Sequence, residues 1–216
     1  SGVVTGITDE HLEIAVTKAK PTGSRLRADR GINFPDSDIR LPGLTAADEA
    51  SLDFVIRNAD AVSLSFVRRP ADILALQEAL ERAGNDTLGL IVKIETKSAF
   101  KKLPKLVLTA MRRYPVAVMI ARGDLAVEAG WARLAELQEE ILWFCEAAHV
   151  PVIWATQVLE GTAKKGQPSR AEVSDAALSQ RADCVMLNKG PHILAAIRTL
   201  DSILRSMQKL RRSKTS

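Results

Sequence analysis

Short apolar runs alternate with longer amphipathic segments along most of the chain, from Thr45 onward. A short apolar run is typical of a buried strand, whereas apolar positions spaced three and four residues apart predict a helix. Five runs predict strands, at residues 61–67, 88–95, 115–121, 150–155 and 183–187. The segments around them predict helices, at residues 45–56, 70–82, 98–113, 131–148, from 170 onward, and 192–210. Strands that alternate with helices in this way predict right-handed crossovers and a parallel sheet.

The amino-terminal segment has a different pattern. Residues 3–20 alternate between apolar and polar side chains, which predicts two short antiparallel strands. Residues 21–44 are interrupted by glycine and proline, so they predict an irregular connector. We therefore expect residues 1–30 to form a small appendage and residues 31–216 to form the main α/β domain.

Polar side chains collect at the carboxyl ends of the predicted strands. They are Ser65 and Arg68, Lys93 and Glu95, Arg122 and Asp124, Thr156 and Gln157, and Asn188 and Lys189. Because the strands of a parallel sheet all end on one side, these side chains should converge on one site. A parallel (β/α) barrel of the TIM type has its site there, but so does an open doubly wound sheet. Convergence alone therefore leaves both folds open.

Two of these strand ends carry the groups that a metal site needs. Lys93 and Glu95 are two residues apart, so they lie on the same side of one strand. Glu95 and Asp124 follow adjacent strands, and a pair of carboxylates, completed by water and substrate oxygens, suits Mg²⁺ or Mn²⁺. A structural alternative stays open at each place: a buried Lys93–Glu95 ion pair, and a turn in which Asp124 caps a helix.

Two further residues suit contacts with an anionic ligand. Gly123 comes directly after a strand, and glycine lets the backbone approach a ligand closely. Thr156 follows the next strand, where its hydroxyl can donate to a substrate or relay a proton. A capping hydrogen bond within the loop is the structural alternative for Thr156. His149 and His192 lie at helix ends, and we expect structural roles for both.

Composition and charge narrow the classes of function. The chain has 216 residues, 46% hydrophobic and 26% charged, with a net charge of +4. Basic residues are concentrated in residues 205–214 without interleaved aromatics, which predicts a solvated helix end rather than a nucleic-acid site. No apolar run approaches the roughly 18 residues of a membrane span. Cys145 and Cys184 lack metal-site or disulfide spacing, so we expect two buried free thiols in a cytoplasmic protein.

Seven segments of the chain match one known family in order and spacing. They are GINFPDSDIRLPGLTAADEASLDF, LSFVRRPADI, IVKIE, VMIARGDLAVE, PVIWATQVLE, PSRAEVSDAAL and DCVMLNKG, within about residues 25–190. Together they resemble the pyruvate kinase family, and the succession of KIE, RGDL and ATQ after three strands is specific. The resemblance implies a parallel (β/α) barrel of the TIM type, represented by about strands 4–8. It also implies that residues 1–30 are the end of the lid domain inserted in that barrel.

The resemblance implies Mg²⁺-dependent phosphoryl transfer between phosphoenolpyruvate and ADP, giving pyruvate and ATP. It assigns stabilisation of the transferred phosphoryl group to Lys93, metal binding to Glu95 and Asp124, and a place beside the protonated enolate carbon to Thr156. The backbone of Gly123 and Asp124, at the start of the next helix, would hold the substrate carboxylate. The expected catalytic residues are Lys93 and Thr156, and the expected substrate-binding residues are Lys93, Arg122, Gly123, Asp124 and Thr156.

Some features of the family have no counterpart in these 216 residues. They are the first three barrel strands, an arginine for the phosphate, the ligands of a K⁺ ion and the allosteric carboxyl-terminal domain. Other positions depart from the family pattern: Thr96 stands where Asn is usual, Ala126 where Gly is usual, and Asn188-Lys189-Gly190 where Ser-Gly-Glu is usual. The metal ligands are intact, but nucleotide binding and the natural substrate stay open.

Two other functions are compatible with the same residues. One is a Mg²⁺-dependent lyase or aldolase that forms the enolate of a 2-oxo acid without any nucleotide. The other is a degenerate barrel that binds a metabolite without catalysis. An incomplete barrel also has two exposed strand edges, so we expect self-association and little activity from the chain alone. The expected small-molecule partners are phosphoenolpyruvate or pyruvate and ADP or ATP, with no nucleic acid and no membrane.

Overall fold

The computed structural model describes residues 1–23, 25, 32–35, 37, 41–113 and 115–214. Its backbone contacts divide the chain into two units, Ser1–Asn33 and Phe34–Ser216. The domain boundary expected between residues 30 and 31 lies outside the described residues, as does part of the irregular connector.

The first unit is a two-stranded antiparallel hairpin. Strand β1 (Gly2–Ile7) pairs with β2 (Leu12–Val16), with a register shift between Val4 and Gly6. This confirms the two antiparallel strands predicted from the alternating pattern. Nearly all of the strand residues are exposed, so the backbone ladder holds the hairpin without a core of its own. Its assignment to a lid domain stays a prediction.

The second unit is built on a five-stranded parallel sheet. The strands are β3 (Ala61–Leu64), β4 (Gly89–Ile94), β5 (Val116–Ala121), β6 (Val152–Val158) and β7 (Cys184–Leu187). They lie side by side in chain order, and each neighbouring pair is parallel. A doubly wound sheet would reverse its strand order at a switch point, whereas a barrel adds each strand on the same side. The order therefore agrees with the predicted α/β fold, a partial barrel of the TIM type.

Helices follow each strand and cover one face of the sheet. They are α1 (Ala46–Asn58), α2 (Pro70–Arg82), α3 (Lys97–Lys101), α4 (Leu103–Ala110), α5 (Arg122–Ala129), α6 (Trp131–Ala147), α7 (Glu160–Lys165), α8 (Arg170–Leu178) and α9 (Ile193–Lys214), with a 3-10 turn at Ser179–Arg181. Capping boxes start α1 at Thr45 and α8 at Ser169, which confirms the predicted start of α8. Across the described part of the chain, every helix is too short or too polar to cross a membrane.

The structure corrects several sequence expectations. The helix expected at 98–113 is divided into α3 and α4. Pro104 lacks an N–H group and cannot continue the hydrogen bonding of α3, so it lies in the first turn of a new helix, α4. Helix α7 was not predicted, and the start of α5 was anticipated only through the resemblance, at Gly123 and Asp124. Strand β3 ends before Phe66, whose φ of 51° is left-handed, and β6 continues to Val158. Cys184 is exposed rather than buried, since β7 is the outer strand of the sheet.

The core lies between the sheet and its helices. Buried side chains on the helix-facing side of β4 (Leu90, Val92 and Ile94) pack with those of the neighbouring strands and helices, and the largest fully buried side chain is that of Trp154. Side chains alternate across a strand, so Lys93 faces away from this core, toward what would be the interior of a barrel. The sheet thus directs Lys93 to its open face, close to the carboxyl end.

Candidate active site

Lys93 and Glu95 form an ion pair at the carboxyl end of β4. Lys93 Nζ lies 2.8 Å from Glu95 Oε1 and also donates to Ser65 Oγ at 2.8 Å. The other carboxylate oxygen, Glu95 Oε2, accepts from the backbone N–H of Phe66 at 2.5 Å. The Glu95 side chain is only 2% exposed, while that of Lys93 is 21% exposed. The ion pair foreseen as a structural alternative is therefore present, and it fixes the direction of the carboxylate.

The Glu95 carboxylate keeps capacity for a further partner. An ionised carboxylate offers about four lone-pair directions, and the two contacts above use two of them. In the described residues, no group of three or more His, Cys, Asp or Glu side chains is arranged to hold a metal ion. A cation at this strand end would therefore rely on the two predicted carboxylates together with substrate and water oxygens, which is the usual way that Mg²⁺ is held.

Asp124 lies in the first turn of α5, which follows β5 directly. The register pairs Ile94 with Ile120, so Glu95 and the start of α5 follow neighbouring strands at the same end of the sheet. Ala121 is the N-cap residue, and Asp124 is the third residue of the helix. The alternative in which Asp124 caps the helix is therefore wrong. Asp124 lies instead where a negative charge interacts favourably with the helix dipole.

The start of α5 and Thr156 lie against each other. Strands β5 and β6 pair at Ala121 and Ala155, and each chain continues directly into the site. A Cβ atom added at Gly123 would lie 3.1 Å from Thr156 Oγ1. Within the described part of the chain, the Thr156 hydroxyl makes no hydrogen bond. The structural alternative, a capping hydrogen bond within the loop, is therefore not seen. A hydroxyl thus lies beside backbone N–H groups that a helix leaves unpaired in its first turn.

Arg122 has its side chain directed into the protein. Its Nε donates to the Ala155 carbonyl at 3.0 Å, and its Nη2 donates to the Thr156 carbonyl at 2.6 Å. Both terminal nitrogens also donate to the Asp175 carboxylate, and the guanidinium carbon lies 4.7 Å from the centre of the Trp154 ring. Arg122 is therefore next to the site, and its guanidinium is held by Ala155, Thr156, Asp175 and Trp154.

Most of the chain is similar in sequence to known proteins. A family model described as "Pyruvate kinase, barrel domain" matches residues 3–191. The chain belongs to the pyruvate kinase family. It is 33% identical to a pyruvate kinase of Kluyveromyces lactis over 178 residues, 79% of this chain and 34% of that protein. It is 32% identical to pyruvate kinase 1 of Saccharomyces cerevisiae over 201 residues, 90% of this chain and 38% of that protein.

A third relative, a pyruvate kinase of Hypocrea jecorina, is 37% identical over 162 residues, 74% of this chain and 29% of that protein. The chain thus spans about a third of the length of the pyruvate kinases that it matches. The resemblance inferred from seven short segments is confirmed at the level of the family. The roles of individual residues stay predictions.

Three groups that hold the residues of this site were not predicted from the sequence. Asp175 lies 53 residues from Arg122 in sequence, and Trp154 was assigned only to a strand. The third contributor is the backbone N–H of Phe66, which no side-chain pattern can indicate. The signal in the sequence that points to Asp175 is its place in the segment PSRAEVSDAAL, which matches the family. His149, by contrast, precedes β6 at the amino end of the sheet, away from Thr156.

Proposed function

We propose that the chain carries the metal-binding and enolpyruvyl-binding part of a pyruvate kinase-like phosphotransferase. In this proposal the enzyme transfers a phosphoryl group between phosphoenolpyruvate and ADP. The observation that carries the proposal is the contact between the Thr156 hydroxyl and the start of α5 at Gly123. It lies at the same sheet end as Glu95, so the amino terminus of a helix, a hydroxyl without a hydrogen bond in the described residues and a buried carboxylate lie at one end of the sheet.

Glu95 and Asp124 would hold a Mg²⁺ or Mn²⁺ ion. Both offer oxygen ligands, which these cations prefer. When bound, the ion would neutralise charge on the substrate oxygens. Glu95 is held by Lys93 and by the Phe66 N–H group, so its carboxylate is oriented before any ligand arrives. Such preorganisation reduces the reorganisation needed when the charge of the substrate changes.

The first turn of α5 would bind the carboxylate of the substrate. Unpaired backbone N–H groups and the positive end of the helix dipole favour an anion there. The absence of a side chain at Gly123 leaves that space open, because a Cβ atom would fill it beside Thr156. Lys93 is 21% exposed and extends from the same sheet end, where its ammonium group can stabilise the phosphoryl group during transfer.

Thr156 would serve the proton step. As the phosphoryl group leaves for ADP, the enolate carbon of the remaining pyruvate must take up a proton. The Thr156 hydroxyl can relay that proton from water, since it has no protein partner in the part of the chain that the structure describes and lies beside the proposed carboxylate site.

Binding of oxalate, a dianion that resembles the enolate of pyruvate, tests the proposal. Mg²⁺ and oxalate together at about 100 times their dissociation constant should stabilise the folded chain by about 2.7 kcal/mol. For a chain of this size the melting temperature should then rise by roughly 5–10 °C. Glu95→Gln and Asp124→Asn should each remove the shift, measured by differential scanning calorimetry.

Glu139→Gln is the matched control. Glu139 also forms a partly exposed ion pair, with Arg181, but Arg181 precedes β7 at the amino end of the sheet. This variant should keep the full shift. No shift in the unmodified chain would contradict the proposal and favour a degenerate barrel. Exchange of the methyl protons of pyruvate, at a rate that nucleotides leave unchanged, would favour a lyase or aldolase instead.

A further inference from the structure

We propose that Arg122 is a positioning residue, which acts through Asp175 and Trp154 to hold Thr156 against the start of α5. The group of these three side chains, Arg122, Trp154 and Asp175, is called the Arg122 clamp below. The inference rests on the proposed function for the role of Thr156, but the clamp itself is a structural arrangement that can be tested separately.

The clamp fixes both peptide groups that flank Thr156. The Ala155 carbonyl belongs to the peptide group before the Thr156 Cα atom, and the Thr156 carbonyl belongs to the one after it. Arg122 Nε donates to the first at 3.0 Å and Arg122 Nη2 to the second at 2.6 Å. Since one planar guanidinium holds both carbonyls, the backbone angles of Thr156, and with them the direction of its side chain, are constrained.

The second peptide group is also held from its other side. Its N–H belongs to Gln157, which donates to Asn188 Oδ1 at 3.2 Å. The segment that carries Thr156 is thus fastened to α5 on one side and to the loop after β7 on the other. Fastening matters at this place because Gln157 has a φ of 61°, a left-handed conformation that a non-glycine residue rarely adopts without support.

Asp175 and Trp154 in turn hold the guanidinium in place. Asp175 accepts from both terminal nitrogens of Arg122, and its Oδ1 also accepts from Trp154 Nε1 at 3.3 Å. The Trp154 ring is fully buried and packs against the guanidinium, with 4.7 Å between the Arg122 Cζ atom and the ring centre. A bidentate contact and an aromatic contact together restrict the guanidinium to a single orientation.

The same residue connects the clamp to the helix terminus. Arg122 is the first residue of α5, and Gly123, which comes next, approaches the Thr156 hydroxyl. The separation between the anion-binding terminus and the hydroxyl is therefore set by one side chain that spans β6 and α5. Small displacements of a catalytic group lower rates strongly, so a dedicated brace is expected to have a measurable effect.

A direct contact between the Arg122 side chain and the substrate is the competing explanation. The geometry opposes it, because four hydrogen bonds to the protein use four of the five N–H groups of the guanidinium. The side chain is also only 11% exposed. The two explanations predict opposite effects for Asp175. Removing its charge loosens a clamp, whereas it frees a ligand arginine to bind an anion more tightly.

Isothermal titration of oxalate in the presence of Mg²⁺ distinguishes them. Arg122→Lys, Arg122→Gln and Asp175→Asn should each weaken oxalate binding by about 10- to 100-fold, as is usual when a group that orients a binding residue is removed. Arg122→Lys keeps the charge but cannot hold two carbonyls and a carboxylate in one plane. Arg181→Lys is the matched control, since its ion pair with Glu139 lies at the opposite end of the sheet, and it should leave binding unchanged.

Coupling to Thr156 separates positioning from a general loss of stability. In a Thr156→Val background, Arg122→Lys should cost less than about threefold in oxalate binding, because the hydroxyl that it positions is gone. The proposal is overturned if Asp175→Asn binds oxalate as tightly as the unmodified chain or more tightly. It is equally overturned if Arg122→Lys keeps its full loss in the Thr156→Val background.

A measurement without ligand keeps the clamp testable if the proposed function fails. If the unmodified chain does not bind Mg²⁺ and oxalate, the proposed function is contradicted, and hydrogen exchange then decides on the clamp. Arg122→Lys should shift the nuclear magnetic resonance signal of the Trp154 indole N–H and speed exchange of the Gln157 amide. An unchanged Trp154 signal and unchanged Gln157 exchange would overturn the clamp.

Discussion

Replacing Gly123 by alanine adds one methyl group at the point where α5 begins beside Thr156. The new Cβ atom would lie 3.1 Å from Thr156 Oγ1 and 3.9 Å from Gln157 Oε1. Alanine is favoured over glycine within a helix by about 0.5–1 kcal/mol. The Thr156 side chain must move a few tenths of an ångström, and rotating it away from its preferred angle costs about 0.5–1.5 kcal/mol.

These two effects nearly cancel, so the free energy of unfolding should change by less than about 1 kcal/mol, which corresponds to a shift of roughly 2–4 °C in melting temperature. Binding of Mg²⁺ and oxalate should nevertheless fall by at least about tenfold, because the methyl group fills the space proposed for the ligand carboxylate. Scanning calorimetry measures the first quantity, and isothermal titration measures the second.

Gly89→Ala is the control for crowding alone. Its added Cβ atom would lie 3.2 Å from Ala61 Cβ, a similarly close contact, but at the amino end of the sheet. It should leave oxalate affinity unchanged. Oxalate affinity that survives in Gly123→Ala would refute the carboxylate site at α5, and a loss of several kcal/mol in stability would refute the packing argument.

Three further predictions concern other parts of the chain. Burial raises the pKa of Cys145 to about 12, so the unfolded chain loses this proton first. Stability should therefore fall by about 1.4 kcal/mol per pH unit between about pH 9 and 12, and denaturant titrations of Cys145→Ala should lack that part of the slope. Hydrogen bonds from the backbone and side chain of Thr45 lower the pKa of Asp48. Thr45→Ala should lower the free energy of unfolding by about 1 kcal/mol near pH 7. The difference in urea midpoint between the variant and the unmodified chain should shrink as Asp48 becomes protonated below about pH 4, and a difference that stays constant with pH would contradict this. Strands β3 and β7 are the outer strands of the described sheet, so light scattering should show dimers or larger species, and a uniform monomer would count against edge pairing.

Much of the fold was accessible from the hydrophobic pattern because parallel strands buried between layers are continuous apolar runs. All five strands were located in this way, whereas the start of α8 was indicated by the capping pattern of Ser169 and Glu172. The hydrophobic pattern did not show helices α5 and α7, because they have eight and six residues, too few for a helical period to stand out from the strand before them. The break between α3 and α4 was indicated by Pro104, but the apolar spacing continued through it.

In the site, too, neighbouring positions on strands could be predicted from the sequence, whereas contacts between distant residues could not. Lys93 and Glu95 could be placed together from their spacing, since a strand alternates its faces residue by residue. Gly123 and Thr156 could be placed at the same end of the sheet because they follow successive strands, but the contact between them was not predicted. Arg122 was expected among the substrate-binding residues, which stays a prediction. The partners of its side chain come from β6 and α8 and were not predicted, because a contact across 53 residues leaves no periodic trace in a single sequence.

The contact that holds Glu95 from the end of β3 is made by a main-chain atom. The Phe66 N–H group donates, while the Phe66 side chain is 45% exposed. Other side chains that tolerate a left-handed backbone can therefore replace Phe66 without removing the hydrogen bond to the carboxylate. Proline alone removes the donor itself, so the side chain at position 66 gives no sign that the carboxylate depends on this residue.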